Sequence, residues 1–217
     1  MRIGILGSGH IGGAAARLFA RAGHEVALSH SGSPDTLREQ VAELGAKARA
    51  ATIVEAAAFG EVVVLAIPWR NRADLPAQQL RGKVVLDAMN HYRPDMGLYD
   101  LAGSTSSEEV AKALPGARLV KAMNSLPAAD LLNRGRPGAP MHERVVMPIA
   151  GDDGEAKAVV AQLMAEIGFA PLDTGLLRAG GVLQQAGGGP LSGKPLTLAE
   201  AEAALQRHGA EGEAAAP

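Results

Sequence analysis

MRIGILGSGHIGGAA, residues 1–15, is the stretch on which the fold class turns. Ile3, Ile5 and Leu6 give the apolar run of a buried strand, which passes directly into Gly7-Ser8-Gly9-His10-Ile11-Gly12. In a strand–turn–helix unit each glycine of that spacing has its own task. Gly7 allows the tight turn off the strand, Gly9 lets a pyrophosphate approach the backbone, and Gly12 lets the helix pack against the strand. Unpaired N–H groups and the positive end of the helix dipole then face the phosphates. The triplet alone carries little weight in a chain with 27 glycines. Its surroundings carry more: a helix is expected over Ala14–Ala22, Gly23 stops it, and a second strand is expected over Glu25–Ser29. The reading is a dinucleotide-binding βαβ unit.

The same alternation continues outward. A helix is expected from Asp35 to Leu44, a short strand at Ala46–Ala50, a helix from Thr52 to Phe59 and a strand at Val62–Ile67. A short helix around Asp74–Leu80 precedes the strand Lys83–Met89, and Ser104–Leu114 reads as a helix. Strands follow at Ala117–Met123 and Arg144–Gly151, then the helix Glu155–Ile167 and a last strand from Phe169 to Gly175. Two strands are unbroken Val/Leu/Ile runs, which a parallel sheet covered on both faces requires. The fold class is therefore α/β: a Rossmann-like, doubly wound, mostly parallel sheet with a small C-terminal extension. Residues 1–196 are expected to form one Rossmann-like dinucleotide-binding domain, and 197–217 a C-terminal helix and flexible tail, frayed over EGEAAAP. The Pro/Gly-rich loop Asn133–His142 reads as a flap over the site.

Composition narrows the partners. The net charge is −2 with no basic stripe, so neither nucleic acid nor an anionic membrane is expected as a partner. No cysteine is present, which removes disulfides and thiolate chemistry and fits a reducing cytoplasm. No signal-peptide pattern or 18-residue apolar span occurs, so a soluble, cytoplasmic protein is expected. Asp152 and Asp153 read as a helix N-cap, and no metal site is expected.

The tip of the second strand chooses the nucleotide. An acid there binds ribose hydroxyls, but Glu25 stands at the opposite end of its strand, roughly 13 Å away. The tip itself is Ser29-His30-Ser31, a set of donors without negative charge, and Arg38 could add a cation from the next helix. NADP(H) is favoured over NAD(H).

Several motifs in order then resemble a known group: GILGSGHIGGAAARLFARAGHEVALSHS, VVLAIPWRN, VVLDAMN, LVKAMNS and GGGPLSGKPLT. Together the chain resembles the bacterial and archaeal NADP oxidoreductases related to the coenzyme F-420-dependent NADP reductase. The resemblance implies a compact Rossmann-like domain, often a homodimer, that binds NADP(H) and exchanges hydride with a small-molecule planar redox partner such as coenzyme F-420 or a flavin. It further implies that Gly7, Ser8, Gly9, His10, Ile11 and Gly12 lie along the pyrophosphate and that Ser29, His30 and Ser31 surround the 2′-phosphate. Ile67, Pro68 and Trp69 would line the nicotinamide ribose, and Asn90 and Asn124 would offer amides near the reacting rings. Gly188, Gly189, Pro190 and Leu191 would close the acceptor side.

The chain departs from the group where relatives often carry Arg and it has His30, where an Asn-Pro pair is Asn90-His91-Tyr92, and where Ser192 replaces an aromatic. Hydride transfer needs positioning more than acid–base groups. Asn90, Asn124 and His91 are accordingly positioning candidates, and none is assigned a catalytic role outright. Lys121 reads as pointing to an edge or supporting Asn124 more than as a catalyst, and Trp69 either stacks on a cofactor ring or fills a gap between helix and sheet. Two further readings stay open: an NADPH-dependent reductase of a small carbonyl or imine, and a non-enzymatic NADP(H) sensor.

Overall fold

The computed structural model describes residues 1–214, with side chains through residue 210. In chain order the elements are β1 (Arg2–Leu6), α1 (His10–Arg21), β2 (Glu25–Ser29), α2 (Arg38–Ala42), β3 (Ala48–Ala51), α3 (Ile53–Phe59), β4 (Val62–Leu65) and α4 (Ala77–Leu80). There follow β5 (Val84–Asp87), α5 (Ser106–Ala113), β6 (Arg118–Lys121), α6 (Ala128–Arg134), β7 (Val146–Gly151), α7 (Gly154–Glu166), β8 (Ala170–Asp173), α8 (Leu177–Leu183) and α9 (Leu198–Ala214). One eight-stranded sheet orders them β3-β2-β1-β4-β5-β6-β7-β8, parallel throughout except between β6 and β7. The first six strands follow the doubly wound order, whose direction of winding reverses between β1 and β4.

Both faces are covered, as the unbroken apolar strands require. On one face Ile3, Ile5, Val64 and Leu86 pack under α1, α6 and α7 through Phe19, Leu131, Val160 and Leu163. On the other, Leu6, Val63, Leu65 and Val85 pack against Ala56, Leu80 and Val110. Capping boxes start α3 (Thr52, Glu55) and α5 (Thr105, Glu108), and Asp153 caps α7 through the Ala156 N–H. A small third cluster joins β7 and β8 to α9 through Val146, Ala170, Leu191, Ala201 and Ala204.

The register fixes where the site must be. Ser29, Leu6, Leu65, Asp87 and Lys121 stand side by side across β2, β1, β4, β5 and β6. All five strands therefore end on one line, and the loops at residues 7, 66, 88 and 122 leave the sheet at one level.

Several expected bounds shift. The helix expected from Ala14 begins at His10, because the turn feeds straight into it. The expected Asp35–Leu44 helix is a 3-10 turn, Pro34–Leu37, followed by the five-residue α2. Strands β4, β5 and β6 each stop two residues early, so Ala66–Ile67, Ala88–Met89 and Ala122–Met123 are loop. Helices α6 and α8 were not foreseen: one is seven residues long and the other carries Gly180 and Gly181. The loop at 133–142 is no flap. Gly135 and Pro137 share a hollow with Leu18, Arg21 and Ala22 at the far end of α1, roughly 18 Å along that helix from the glycine turn. The Arg144 guanidinium holds this loop by donating to the carbonyls of Pro137, Ala139 and Ala165. Of the expected tail, residues 211–214 continue α9, and 215–217 lie outside the described residues.

Candidate active site

The glycine turn separates into two structural positions and one open one. Gly7 sits at φ +113°, and a Cβ there would lie 2.3 Å from the Ala66 carbonyl oxygen. A Cβ on Gly12 would lie 1.8 Å from the Gly7 carbonyl oxygen. Gly9, at φ −67°, needs no unusual conformation, and nothing lies within 4 Å of where its Cβ would be. It is also the N-cap of α1, a twelve-residue helix with no side-chain cap and no acid in its first turn. Open space at an uncapped, acid-free helix N-terminus is a cradle that a phosphate fits.

From this cradle a cleft of about 480 Å³ runs between the glycine turn, His30 and Ser31 on one side and Ile67, Pro68, Asn71, Asp74 and Leu75 on the other. Its floor is the reversal point between β1 and β4, where open α/β sheets bind ligands. A second compartment of about 310 Å³ continues it over β5 and β6, lined by Ala88, Met89, Asn90, Tyr92, Asn124, Ser125, Leu126, Ser192 and Gly193. Ile11, Ala66 and Ile67 belong to both walls, so the two form one groove.

Asn90 and Asn124 meet in the second compartment. Asn90 Nδ2 donates to the Asn124 carbonyl at 2.9 Å, and Asn124 Nδ2 donates to Asn90 Oδ1 at 3.1 Å and to the Gln184 carbonyl at 2.8 Å. Asn124 Oδ1 and Ser125 Oγ are buried without a partner among the described residues, as are both side-chain polar atoms of Gln184. Asn124 and Ser125 line the cavity, and buried polar atoms left unpaired at a cavity wall are groups a ligand can satisfy. Met123, just before Asn124, is fully buried at φ +62°, a left-handed conformation that costs a side-chain residue about 1–2 kcal/mol. Strain of this kind concentrates at functional sites.

Beneath the loop that carries Asn90 lies a buried ion pair. Lys121 Nζ is 3.1 Å from Asp87 Oδ2, and both side chains are essentially inaccessible. Lys121 also donates to the Met89 carbonyl, while the Met89 N–H donates to Asp87 Oδ1 at 3.0 Å. Ser107 Oγ completes the carboxylate at 2.7 Å. Both backbone groups of Met89 are thus held by one pair of charges, and Asn90 is the next residue.

Residues 2–91 match the family model described as NADP oxidoreductase, coenzyme F420-dependent. A hypothetical protein of Sinorhizobium meliloti is 35% identical with a TM-score of 0.81, over 91% of this chain and 95% of that one. The chain belongs to the coenzyme F420-dependent NADP oxidoreductase family. A structure from Arthrobacter sp. FB24 with the provisional designation F420 dependent NADP-reductase is 26% identical with a TM-score of 0.71, over 82% of this chain and 86% of that one. Metalloreductase STEAP3 of Rattus norvegicus is 30% identical over 178 residues, 81% of this chain. The chain spans about a third of that protein, 34% of its length.

Within this family frame, the structure distributes the expected site residues unevenly. Gly7, Ser8, Gly9, His10, Ile11, His30, Ser31, Ile67 and Pro68 line the first cleft, with Gly12 packed behind the turn. Three do not line it. Ser29 is fully buried, and its hydroxyl donates to the Ile5 carbonyl at 2.9 Å, so it braces β1 against β2 instead of meeting a phosphate. Arg38 is exposed and paired with Asp35 at 2.5 Å. Trp69 is buried: Nε1 donates to the Ser106 carbonyl, the Arg72 guanidinium stacks 3.7 Å from its ring centre, and Tyr99 packs alongside. It fills the gap between sheet and α5, the second of the two roles considered for it.

His91 is also buried, edge-on to Trp69 at 6.1 Å, with Nδ1 unpaired among the described residues. Burial first and the Lys121 charge second lower its pKa below the ordinary histidine value, which keeps the ring neutral. Of the segment expected to close the acceptor side, Leu191 turns into the third core cluster, and Ser192–Gly193 form the wall. Tyr92, Asn71 and Asp74 were not foreseen as lining residues: Asn71 and Asp74 lie in the 3-10 turn Trp69–Asp74 after β4, and Tyr92 in the loop after β5. Among the described residues no group of three or more His, Asp or Glu can hold a metal, and no helix is long and apolar enough to cross a membrane. Asp153 caps α7 and pairs with Arg118 at 2.5 Å, and Asp152 accepts the Leu177 N–H.

Proposed function

We propose that this chain is an NADP(H)-dependent oxidoreductase that passes a hydride between NADP(H) and a planar redox acceptor such as coenzyme F-420 or a flavin. One observation carries the reading: the phosphate cleft and the amide-lined compartment share the wall Ile11, Ala66 and Ile67. A dinucleotide seated at the glycine turn then has its reactive end where the two compartments join. The N–H groups at the start of α1 would hold the pyrophosphate, and His30 and Ser31 the adenosine ribose. Asn90 and Asn124 would orient ring-edge amide or carbonyl groups, and Ser192–Gly193 would exclude water. NADP(H), when bound, supplies the hydride chemistry itself, so the protein's own task is alignment.

The second reading, reduction of a small neutral carbonyl or imine, needs a proton donor. Tyr92 is the ionisable side chain that the structure offers among those lining the second compartment. The test follows NADPH oxidation by its absorbance with oxidised F-420, FMN, a quinone, a ketone and a cyclic imine, in the wild type and in Tyr92→Phe. Turnover of a planar acceptor that survives Tyr92→Phe supports hydride exchange between rings. Turnover of the ketone or imine that is lost in Tyr92→Phe supports the second reading instead, and tight binding without any turnover supports a sensor. The reading further assigns the chain to the cytoplasm, in keeping with its cysteine-free composition, and to a homodimer, which light scattering on the purified protein tests.

A further inference from the structure

The peptide that joins Met89 to Asn90 is gripped at one end and free at the other. Its carbonyl accepts from the Lys121 ammonium, while the Asn90 N–H donates to no group among the described residues. The two ends of a trans peptide point in opposite directions, and among the described residues no peptide bond is cis. The N–H therefore points away from the buried ammonium, on a residue that lines the second compartment. Asp87 acts on a different peptide, the one joining Ala88 to Met89, whose N–H meets its carboxylate at 3.0 Å. Each charge of the pair thus polarises its own amide, and the positive charge polarises the one that ends at the compartment.

A cation on an amide oxygen draws electron density out of the amide and makes its N–H a stronger donor, because hydrogen bonds in a chain polarise one another in a medium of low dielectric. Water does little to weaken the effect here, since the Lys121 side chain is 1% accessible. None of the residues lining the second compartment is Lys, Arg, His, Asp or Glu. The Asn90 N–H is thus the point at which the charge of Lys121 is delivered to whatever occupies it.

Hydride exchange creates a charge for that donor to meet. The C–H bond at C4 of the reduced nicotinamide breaks, and its two electrons and hydrogen form a new bond at position 5 of the acceptor ring. The nicotinamide ring becomes positive. The electron pair displaced within the acceptor settles on its pyrimidine edge, a ring nitrogen and a carbonyl oxygen, until solvent supplies a proton. We infer that Lys121 is a positioning residue for the acceptor: through the Met89 carbonyl it strengthens the Asn90 N–H, which holds the acceptor oxygen that turns negative on reduction. This role rests on the hydride-exchange reading proposed above. Preorganised donors aimed at developing charge gain most where water is excluded.

The test is anaerobic calorimetric binding of oxidised and reduced F-420 and FMN, with redox-inert tetrahydro-NADP present, to the wild type and two variants. Asp87→Asn with Lys121→Met removes the ammonium and strands no charge. Ser107→Ala removes the 2.7 Å hydrogen bond from the same cluster and leaves the ammonium on the Met89 carbonyl. The readout is the ratio of the oxidised to the reduced acceptor's dissociation constant, which a loosened compartment lowers no more for one redox state than for the other. The double variant should reduce that ratio about five- to tenfold, the factor between a hydrogen bond to a charged group and one to a neutral group. Ser107→Ala should keep the wild-type ratio. A wild-type ratio in the double variant, or an equal fall in Ser107→Ala, overturns the role of Lys121 and leaves the hydride-exchange reading in place. So does a shift confined to the NADP⁺/NADPH ratio, measured without acceptor, for the donor then serves the nicotinamide. Failure of the wild type to bind either acceptor in either redox state overturns both.

Discussion

Removing one member of the Lys121–Asp87 pair should cost far more than removing both. At 3.1 Å and an effective dielectric of about 20, the two charges attract by about 5 kcal/mol. Both side chains are at most 1% accessible, so each charge left alone has almost no water to turn to. Lys121→Met keeps the volume but strands the Asp87 carboxylate, and Asp87→Asn keeps acceptors for the Met89 N–H while stranding the ammonium. Each single variant should lose about 3–5 kcal/mol. The double variant carries no stranded charge and forfeits mainly the hydrogen bond to the Met89 carbonyl and the better acceptor for Ser107, about 1–3 kcal/mol. Urea unfolding with an unchanged slope measures all three.

The single variants should also differ in pH dependence. Burial already lowers the Lys121 pKa, and Asp87 partly restores it. Without Asp87 the folded-state value falls further below the unfolded one. Asp87→Asn should therefore regain stability as pH rises toward 10 and lose it as pH falls. Lys121→Met should not. If the two single costs add in the double variant to within about 0.5 kcal/mol, the residues act independently and the reasoning is refuted.

The glycine turn offers a cleaner separation of binding from folding. Gly9→Ala adds a methyl group to open space and should cost about 1 kcal/mol or less in stability, yet lower dinucleotide affinity at least about tenfold; unaltered calorimetric binding would refute the cradle. Gly12→Ala drives a Cβ into the Gly7 carbonyl and should cost about 3 kcal/mol or more, read as a lowered urea midpoint. Trp69 is the only tryptophan and touches His91, so its emission should stay constant above about pH 6.5 and change only below it, because burial depresses the His91 pKa; Lys121→Met should move that change to higher pH. His24 is buried 2.9 Å from Glu166, and burial and then the chain's amino group hold its pKa below the ordinary value. With the folded pKa below the unfolded one, its contribution is complete above about pH 6.5 and is lost as pH falls. Thermal stability should decline from pH 7 to pH 5 in the wild type and less steeply in His24→Gln.

The architecture was legible because its signals are local and redundant. β1, β4 and β5 are runs of apolar residues with no polar alternation, α1 follows its glycines without a break, and Thr52 with Glu55 and Thr105 with Glu108 announce two helices. What stayed hidden were elements whose sequence argues against them. In α8 Gly180 is required, since a Cβ would lie 2.6 Å from the Thr174 carbonyl oxygen, and that same glycine erases the helical signal. The strand ends were overrun for the opposite reason: Ala66, Ala88 and Ala122 are as apolar as the strands before them, and only the shared register shows the chain leaving the sheet there.

The candidate site was legible where backbone geometry builds it and not where side chains do. Glycines at 7, 9 and 12 are legible from their spacing together with the strand before them and the helix after. A hydroxyl such as that of Ser29 is equally able to hold a phosphate or a neighbouring strand, and only its 2.9 Å bond to the Ile5 carbonyl decides between them. Lys121 and Asp87 are 34 residues apart, and the parallel pairing of β5 with β6 brings them together at the sheet edge. Their shared grip on Met89 gives the paired amides of Asn90 and Asn124 a rigid footing on one side, while the left-handed Met123 gives it on the other. On the proposed reading, alignment of two rings gains little from extra chemistry and much from such footing, because misplacement by an ångström forfeits about a hundredfold in rate. A buried ion pair and a methionine in the left-handed conformation accordingly flank the two amide side chains of the site.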